Sequence, residues 1–440
     1  MTDGSTVQGL SVRDLADEFG TPLYVYDGDV LTAQYHGLRQ RLDPAVEMFF
    51  SLKSNPNVAI CAFLRGLGAR AEVSSLAELV TATRAGVTAD DIVFVGPGKS
   101  RAELSACLDL GLYAVICESF GELALVDALS RERGVVTQVA LRVNPDFVVK
   151  GAKLTMGGRS RQFGIDVEQL YGARERLARF EAVRIIGFQS YLGTRILSEA
   201  VVAENTERIL DQAERLAERL DVPLDFVDVG GGLGVAYFEG EHDIDPDVVA
   251  GLVNPVIGRF TARRPGTRIA MELGRYLTAH SGTYLVRVRY VKESMGEPFA
   301  VVDGGTHHHM AAVGIGSYVK RNFPMSLLTG AGRDADAAVE SWNIAGPLCT
   351  PNDVLGRHVP MPAPRPGDLI AVSRSGAYGP TASPGLFLGH GHPAEVLVRD
   401  GRAHLIRERD DVADVLRGHR LPDLTDVAVT VAAAATPEAP

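Results

Sequence analysis

The sequence predicts an α/β protein in which a (β/α)8 TIM barrel is joined to a second, antiparallel β domain of barrel or sandwich type. From about residue 46 to residue 275, short apolar β-rich runs alternate with amphipathic helical segments. Eight such units in about 230 residues match the count and length of a (β/α)8 barrel. From Gly282 onward the helical periodicity fades and β-rich runs follow one another. An open doubly wound sheet remains the alternative, because one sequence leaves the strand count open.

The barrel strands are predicted where apolar residues run continuously, as they do in parallel strands that are covered on both faces. These runs are residues 46–52, 70–74, 91–95, 114–118, 138–144, 185–192, 226–230 and 268–273. In the second domain, turn residues separate the predicted strands. Those strands are residues 283–291, 299–303, 341–344, 368–373, 394–398 and 403–407.

The elements predict four segments along the chain. Residues 1–30 carry a strand at 22–26 that we expect to pair back into the β domain. The barrel is predicted at 31–281, the β domain at 282–415, and a tail at 416–440 that is disordered toward its end.

The composition argues against several kinds of partner. The formal net charge is −11, whereas phosphate binding needs a basic surface, so we expect no nucleic acid partner. No apolar run approaches the roughly 18 residues that cross a bilayer, and no signal peptide is visible. The four cysteines do not form the pattern of a disulfide framework. We therefore expect a cytoplasmic protein with no membrane partner.

Candidate functional residues lie at the ends of the predicted barrel strands, where barrel enzymes build their active sites. Lys53 follows a buried apolar run, and a nucleophilic lysine needs a lowered pKa, which burial and neighbouring cations would supply. Gly230, Gly231 and Gly232 end a strand, and their N–H groups can cradle a phosphate. Glu272 ends the last barrel strand. Each has a simpler alternative: a solvated lysine, a tight turn and a salt-bridged carboxylate.

Two further groups lie in the β domain. His307, His308 and His309 are consecutive, so on a strand they would point to opposite faces, and no companion motif supports a metal. We expect no metal there and interpret them as a polar wall of the substrate pocket. Cys349 lies in a polar loop, where a thiol can donate a proton near neutral pH. An inert buried cysteine is the alternative.

Six short motifs, in order along about residues 20–410, resemble those of the fold-type III pyridoxal-phosphate (PLP) decarboxylases, the family of bacterial diaminopimelate decarboxylase and ornithine decarboxylase. They are SLKSN (51–55), AEVSSLAEL (71–79), VDVGGGLG (227–234), ELGR (272–275), GPLCTPND (346–353) and SGAY (375–378). Each motif is weak alone, but six in order are specific. The resemblance implies an alanine racemase-like architecture, PLP as the cofactor, and a homodimer with shared active sites.

The resemblance also implies roles for single residues. Lys53 would carry PLP, Glu272 would face its pyridine nitrogen, and Cys349 from the other subunit would return a proton to the substrate carbon. Tyr191 would stack on the cofactor ring. The residues that would hold the phosphate are Thr194, Gly230, Gly231, Gly232, Gly274, Arg275 and Tyr378. The residues that would contact substrate are Arg275, His307, His308, His309 and Asp353.

Departures from the diaminopimelate enzymes indicate a different substrate. Tyr191 replaces the family's ring-stacking histidine, His307 to Met310 replace an arginine–proline segment, and Thr350 replaces a glutamate. The last two changes remove charged groups that would grip the far end of diaminopimelate. FQSYLGTRIL, DGGTHHHMAA, GPLCTPND and SGAYGPTASP instead resemble a subgroup that includes the butirosin-pathway decarboxylase of a glutamyl group on an acyl-carrier protein.

We therefore expect PLP-dependent α-decarboxylation of an amino acid or aminoacyl substrate, free or tethered to a carrier protein, in natural-product or siderophore biosynthesis. The alternatives are a decarboxylase of free diaminopimelate, lysine, ornithine or arginine, an amino-acid racemase, and a PLP-binding protein without turnover. The basic segment 150–161 (KGAKLTMGGRSR) is interpreted as a mobile lid, a docking patch for an acidic carrier or its phosphopantetheine arm, or a solvated loop.

Overall fold

A computed structural model describes residues 6–147, 154–155, 157–314, 321–328 and 338–422. The strands are β1 Thr6–Val7, β2 Leu10–Ser11, β3 Leu23–Asp27, β4 Val46–Ser51, β5 Arg70–Val73, β6 Ile92–Phe94, β7 Ala114–Cys117, β8 Thr137–Asn144, β9 Leu154–Thr155, β10 Ile165–Asp166, β11 Val183–Gln189, β12 Gly193–Thr194, β13 Phe226–Gly231, β14 Arg268–Leu273, β15 Gly282–Ser294, β16 Glu297–Val302, β17 Met325–Leu328, β18 Val339–Ala345, β19 Val354–Pro362, β20 Leu369–Val372, β21 Ala394–Arg399 and β22 Arg402–Arg407. The α-helices are α1 Val12–Glu18, α2 Gly28–Arg39, α3 Val58–Leu67, α4 Leu76–Arg84, α5 Arg101–Leu110, α6 Phe120–Arg133, α7 Val167–Tyr171, α8 Arg174–Leu177, α9 Glu199–Leu220, α10 Pro246–Arg263, α11 Arg275–Thr278, α12 Met310–Val313 and α13 Val412–Leu416.

Eight parallel strands close a barrel. In order around it they are β4, β5, β6, β7, β8, β11, β13 and β14, and β14 pairs again with β4, with Met271 opposite Met48. All eight were predicted to within three residues at each end, because strands that are covered on both faces read as continuous apolar runs. The predicted TIM barrel is confirmed, and the alternative of an open sheet is wrong.

The barrel interior is apolar below its mouth. Phe49, Val93, Ile116, Ile186 and Phe226 form part of one buried cluster inside it. Side chains alternate across a strand, so residues two positions further along point to the same interior. The polar residues at the carboxyl ends of these strands therefore stand on an apolar floor, at the open end of the barrel.

The outer helices begin at capping residues close to this open end. Asn57, Ser75, Ser100 and Ser119 each accept a backbone N–H of the helix that follows, at the starts of α3, α4, α5 and α6. Such caps satisfy donors that the first helical turn leaves free. They fix where each strand-to-helix loop ends, and these loops form the rim of the mouth.

The β domain is built on a mixed sheet with the strand order β19-β18-β16-β15-β3-β21-β22. Strand β20 also pairs with β15, and β17 pairs with β20. The strand from the start of the chain, β3, lies between β15 and β21. The prediction that this domain is antiparallel is wrong at two places, because β16 pairs with β18 and β3 pairs with β21 in parallel. Parallel neighbours need a long connection, and the whole barrel lies between β3 and β21 in the chain.

Two strands of this domain were missed, β17 and β19. The first has four residues, and the second contains Gly356, Pro360 and Pro362, which weaken a strand pattern. The predicted domain limits stay predictions, and most of the predicted tail lies outside the described residues. Within the described residues, no helix is both long and apolar enough to cross a membrane.

Candidate active site

Lys53 lies in the turn after β4, at the mouth of the barrel. Its Nζ lies 3.2 Å from Glu72 Oε2, 4.0 Å from Glu272 Oε2 and 5.4 Å from the centre of the Tyr191 ring. Burial lowers the pKa of Lys53, but the charges of Glu72 and Glu272 outweigh burial and raise the pKa well above its ordinary value. The expectation of a lowered pKa is wrong, because carboxylates and not cations lie nearest the amine.

Glu72 is a site residue that sequence reasoning missed. It is buried on β5, opposite Ser51 in the strand register, and Ser74 Oγ donates to its Oε1 at 3.1 Å. One signal could have found it: a single carboxylate near the end of an apolar strand, inside a motif already singled out. A buried carboxylate needs a partner, and Lys53 supplies one.

Glu272 is held by two other buried polar residues. Gln189 Nε2 donates to its Oε1 at 3.0 Å, and Asp228 lies beside it on β13, where Asp228 Oδ1 accepts the N–H of Gly230 at 2.8 Å. Burial and the charge of Glu272 raise the pKa of Asp228 well above its ordinary value. Burial and the charge of Glu72 raise the pKa of Glu272. Burial thus makes both carboxyl groups harder to ionise than they are in water, and Glu272 faces the cavity.

These side chains surround a cavity of about 440 Å³. It is lined by Lys53, Ser74, Val95, Gly96, Pro97, Arg142, Phe163, Gln189, Tyr191, Thr194, Glu272, Arg275 and Tyr378. Burial raises the pKa of Tyr191 to about 12, so its ring is neutral. The cavity therefore combines one amine, a neutral aromatic wall and a buried carboxylate.

A recess beside this cavity has the properties of a phosphate site. It is lined in part by Thr194, Gly232, Gly274, Arg275 and Tyr378. Gly232 has φ +92°, and a Cβ there would collide with the carbonyl oxygen of Gly193. Arg275 Nε is buried and has no hydrogen-bond partner among the described residues. A hydroxyl, close glycine backbone and an unpaired guanidinium nitrogen fit a phosphate group.

Gly230 and Gly231 lie next to this recess but do not line it. A Cβ on Gly230, which has φ +66°, would lie 2.6 Å from the carbonyl oxygen of Ser190, and a Cβ on Gly231 would collide with the backbone of Glu272. These glycines let β13 pack closely against its neighbours. Their contact with a phosphate stays a prediction.

Cys349 lies apart from the cavity lining, in the loop between β18 and β19, and is exposed. The loop is fixed by Asp353, whose Oδ1 accepts the N–H of Thr306 at 2.6 Å and whose Oδ2 accepts the N–H of Leu348 at 2.7 Å. Both oxygens of Asp353 are thus used within its own subunit. The loop is a fixed support that presents a thiol outward.

The three consecutive histidines are buried in the β domain, outside the cavity lining. His308 Nδ1 lies 3.2 Å from Tyr284 Oη, and His309 Nε2 lies 2.9 Å from Ser375 Oγ. Neither ring nitrogen of His307 has a partner among the described residues. Burial lowers the pKa of His307 to about 4 and of His309 to about 3, and lowers that of His308 well below its ordinary value. All three are uncharged at neutral pH, and their contact with substrate stays a prediction.

The predicted docking segment 150–161 is described only in part. Lys150 and Lys153 lie outside the described residues. Arg159 and Arg161 are exposed, and the carbonyl of Arg159 accepts a hydrogen bond from Asn144 at 3.1 Å. Their part in docking stays a prediction.

Comparison with known proteins gives one consistent family. Residues 29–279 match the pyridoxal binding domain of the pyridoxal-dependent decarboxylases. The chain is 38% identical to the L-glutamyl-[BtrI acyl-carrier protein] decarboxylase of Niallia circulans, over 92% of this chain and 95% of that protein. It is 31% identical to the diaminopimelate decarboxylase of Pseudomonas fluorescens, over 94% and 96% of the two chains. The structure of diaminopimelate decarboxylase from M. jannaschii in complex with L-lysine has a TM-score of 0.87 at 26% identity, over 96% of this chain and 97% of that one.

The cavity and the family agree. A lysine at the barrel mouth, a buried carboxylate across from it and a recess that fits a phosphate are what PLP requires, and PLP is the cofactor of the matching family. The chain therefore belongs to the pyridoxal-dependent (fold-type III) decarboxylases and is a PLP-dependent carboxy-lyase.

Proposed function

We propose that this chain removes the α-carboxylate of an amino acid that is tethered to an acyl-carrier protein through its side-chain carboxyl group. The observation that carries the proposal is that His307, His308 and His309 are buried and uncharged. Uncharged residues cannot form ion pairs with the two charged groups at the far end of a free substrate such as diaminopimelate. The N. circulans relative, whose name states a carrier-bound glutamyl substrate, gives further support.

Lys53 bonds the cofactor in this proposal. When bound, PLP supplies the electron sink that lets the α-carboxylate leave as carbon dioxide. In this structure the Lys53 amine lies 3.2 Å from Glu72 and 4.0 Å from Glu272, and Glu72 would hold the free amine whenever it is not bonded to the cofactor. The same contacts keep the amine close for product release.

Glu272 would face the pyridine nitrogen of the bound cofactor and hold a proton there, while Gln189 and Asp228 keep its carboxyl group in place. A buried carboxylate in this position favours the protonated ring. Tyr191 packs on the ring as a neutral surface. Thr194, Gly232, Gly274, Arg275 and Tyr378 bind the phosphate, and Arg275 also faces the substrate.

Cys349 donates the proton that replaces the lost carboxylate. Its thiol is exposed and lies outside the lining of the cavity in its own chain. A second copy of the chain must therefore bring it to Lys53, and we propose a homodimer with two shared sites. Asp353 holds the loop in place. The three histidines shape the part of the β domain next to it.

The test is carbon dioxide release from a panel of free and carrier-bound amino acids, with the unloaded carrier as the blank. We expect release from a carrier-bound glutamyl group and little from free glutamate at the same concentration. Release from free lysine, ornithine, arginine or diaminopimelate with no preference for the carrier-bound substrate would contradict the tethered-substrate proposal and leave the family assignment intact.

A further inference from the structure

We propose that a groove on the outer side of Arg275, between the barrel and the β domain, binds the phosphopantetheine arm of an acyl-carrier protein. The proposal rests on the carrier-tethered substrate proposed above. It assigns the arm to a site other than the basic segment 150–161, and it names the residues that would recognise the phosphate.

The groove has aromatic walls. Its volume is about 570 Å³, and its lining comes from the loop after β13, from the start of β17 with the segment that leads into it, and from β19. Tyr237 stacks on Phe323 with ring centres 4.4 Å apart, and Phe238 meets Phe323 edge-on at 6.1 Å. Aromatic walls of this kind pack well against a chain of methylene and amide groups.

The groove begins where the Lys53 cavity ends. Arg275 lines that cavity, and its guanidinium donates a hydrogen bond to the hydroxyl of Tyr237 at 3.0 Å. Tyr237 in turn lines the groove. The hydrogen-bonded pair of Arg275 and Tyr237 therefore lies between the two spaces, and in our proposal the acyl chain passes beside this pair to reach the aromatic walls.

Two arginines stand over these walls. The guanidinium carbon of Arg321 lies 5.6 Å from the centre of the Phe238 ring, and that of Arg195 lies 5.0 Å from the same ring. Arg195 Nε is buried with no hydrogen-bond partner among the described residues, while its other end lies 3.4 Å from Glu241. Glu239 also lines the groove and is exposed.

The backbone of Arg195 also indicates a fixed position. Its φ is +59°, in the left-handed region that residues other than glycine seldom adopt. Such conformations cost free energy and cluster at ligand sites. Arg195 follows Thr194, which lines the cofactor cavity, and its guanidinium contacts the Tyr237 and Phe238 rings that line the groove.

The successive parts of a carrier protein's phosphopantetheine arm match the cavity, the aromatic walls and the arginines in that order. Its thioester end carries the substrate, its middle is a chain of amides and methylenes, and its far end is a phosphodiester. A planar guanidinium binds such an anion by paired hydrogen bonds. A free amino acid has neither the chain nor the phosphate, so the groove gives a physical reason to prefer a tethered substrate.

The test compares two small substrates, a glutamyl thioester of phosphopantetheine and the same thioester of pantetheine, which lacks the phosphate. For the unaltered protein we expect KM to be about tenfold lower with the phosphate, because a hydrogen bond to a charged group is worth about that factor. In Arg321→Ala this preference should disappear, and in Arg321→Lys it should return in part. Phe238→Ala should raise KM for both substrates.

The matched control is Arg263→Ala, an exposed arginine at the carboxyl end of α10, away from the barrel mouth. It should keep the unaltered preference. An equal KM ratio in the unaltered protein and Arg321→Ala, with PLP absorbance retained in both, would overturn the groove proposal while carrier-bound turnover stands. If the unaltered protein turns over neither thioester but does turn over a free amino acid, the proposed function itself fails.

Discussion

The barrel mouth and the Cys349 loop differ in the partners of their polar side chains. At the mouth, polar side chains are bonded to one another: the partly exposed amine of Lys53 pairs with the buried Glu72, and Gln189 donates a hydrogen bond to the buried Glu272. In the loop, both carboxylate oxygens of Asp353 accept hydrogen bonds from backbone N–H groups, and the thiol of Cys349 is exposed. The first region is organised for a cofactor by one chain alone. The second is a fixed loop with an exposed thiol, which in our proposal acts in the site of the other subunit.

The largest effect is expected at the mouth. Lys53→Ala removes the only group in our proposal that bonds PLP, so the visible absorbance of the cofactor linkage should vanish and carbon dioxide release should fall by more than about a thousandfold. Lys292→Ala, at an exposed position on β15, is the control and should change neither. Retention of both signals in Lys53→Ala would remove Lys53 from the site.

The loop should show a loss of rate without a loss of cofactor. Cys349→Ala removes a proton donor, a change typically worth about a hundredfold to ten thousandfold, and product formation should slow within that range while the absorbance is retained. Asn352→Ala, an exposed neighbour in the same loop, is the control. A Cys349→Ala protein that loses its absorbance would mean that the loop supports the cofactor instead.

The buried carboxylate at the mouth should matter through its charge. Glu272→Gln keeps the shape of the side chain and removes the charge, so we expect kcat to fall by about a hundredfold, as for other preorganised charges, with a smaller change in KM. Gln189→Ala, which removes one donor to Glu272, should cost about tenfold. Steady-state kinetics distinguish the two, with exposed Glu168→Gln as the control. If Glu272→Gln is as active as the unaltered protein, the ring contact is wrong.

The smallest expected effect concerns the histidines beneath the loop. Burial lowers the pKa of His309 from 6.5 to about 3, so between these values the unfolded chain binds a proton that the folded chain does not. The free energy of unfolding should therefore fall as pH falls below about 6.5. The loss of Tm between pH 7 and pH 5 should be smaller in His309→Gln than in the unaltered protein or in exposed His419→Gln. An identical loss in all three would contradict an uncharged buried His309.

The sequence predicted the fold far better than it predicted which distant residues are in contact. Each barrel strand is a local apolar run and could be located from the chain alone. The ion pair between Lys53 and Glu72 joins the turn after β4 to strand β5, and no local pattern marks it. The same holds for Tyr237 and Phe323, which stack although they lie far apart in the chain. The parallel pairing of β3 and β21 was missed for this reason too.

The assembly of the two regions into one site is tested most directly by mixing two inactive variants. Lys53→Ala and Cys349→Ala are each expected to be nearly inactive. After random exchange of subunits, half of the dimers are mixed and each holds one intact site, so activity should return to about a quarter of the unaltered value. A mixture as inactive as its two components, with subunit exchange shown independently, would contradict a site shared between copies.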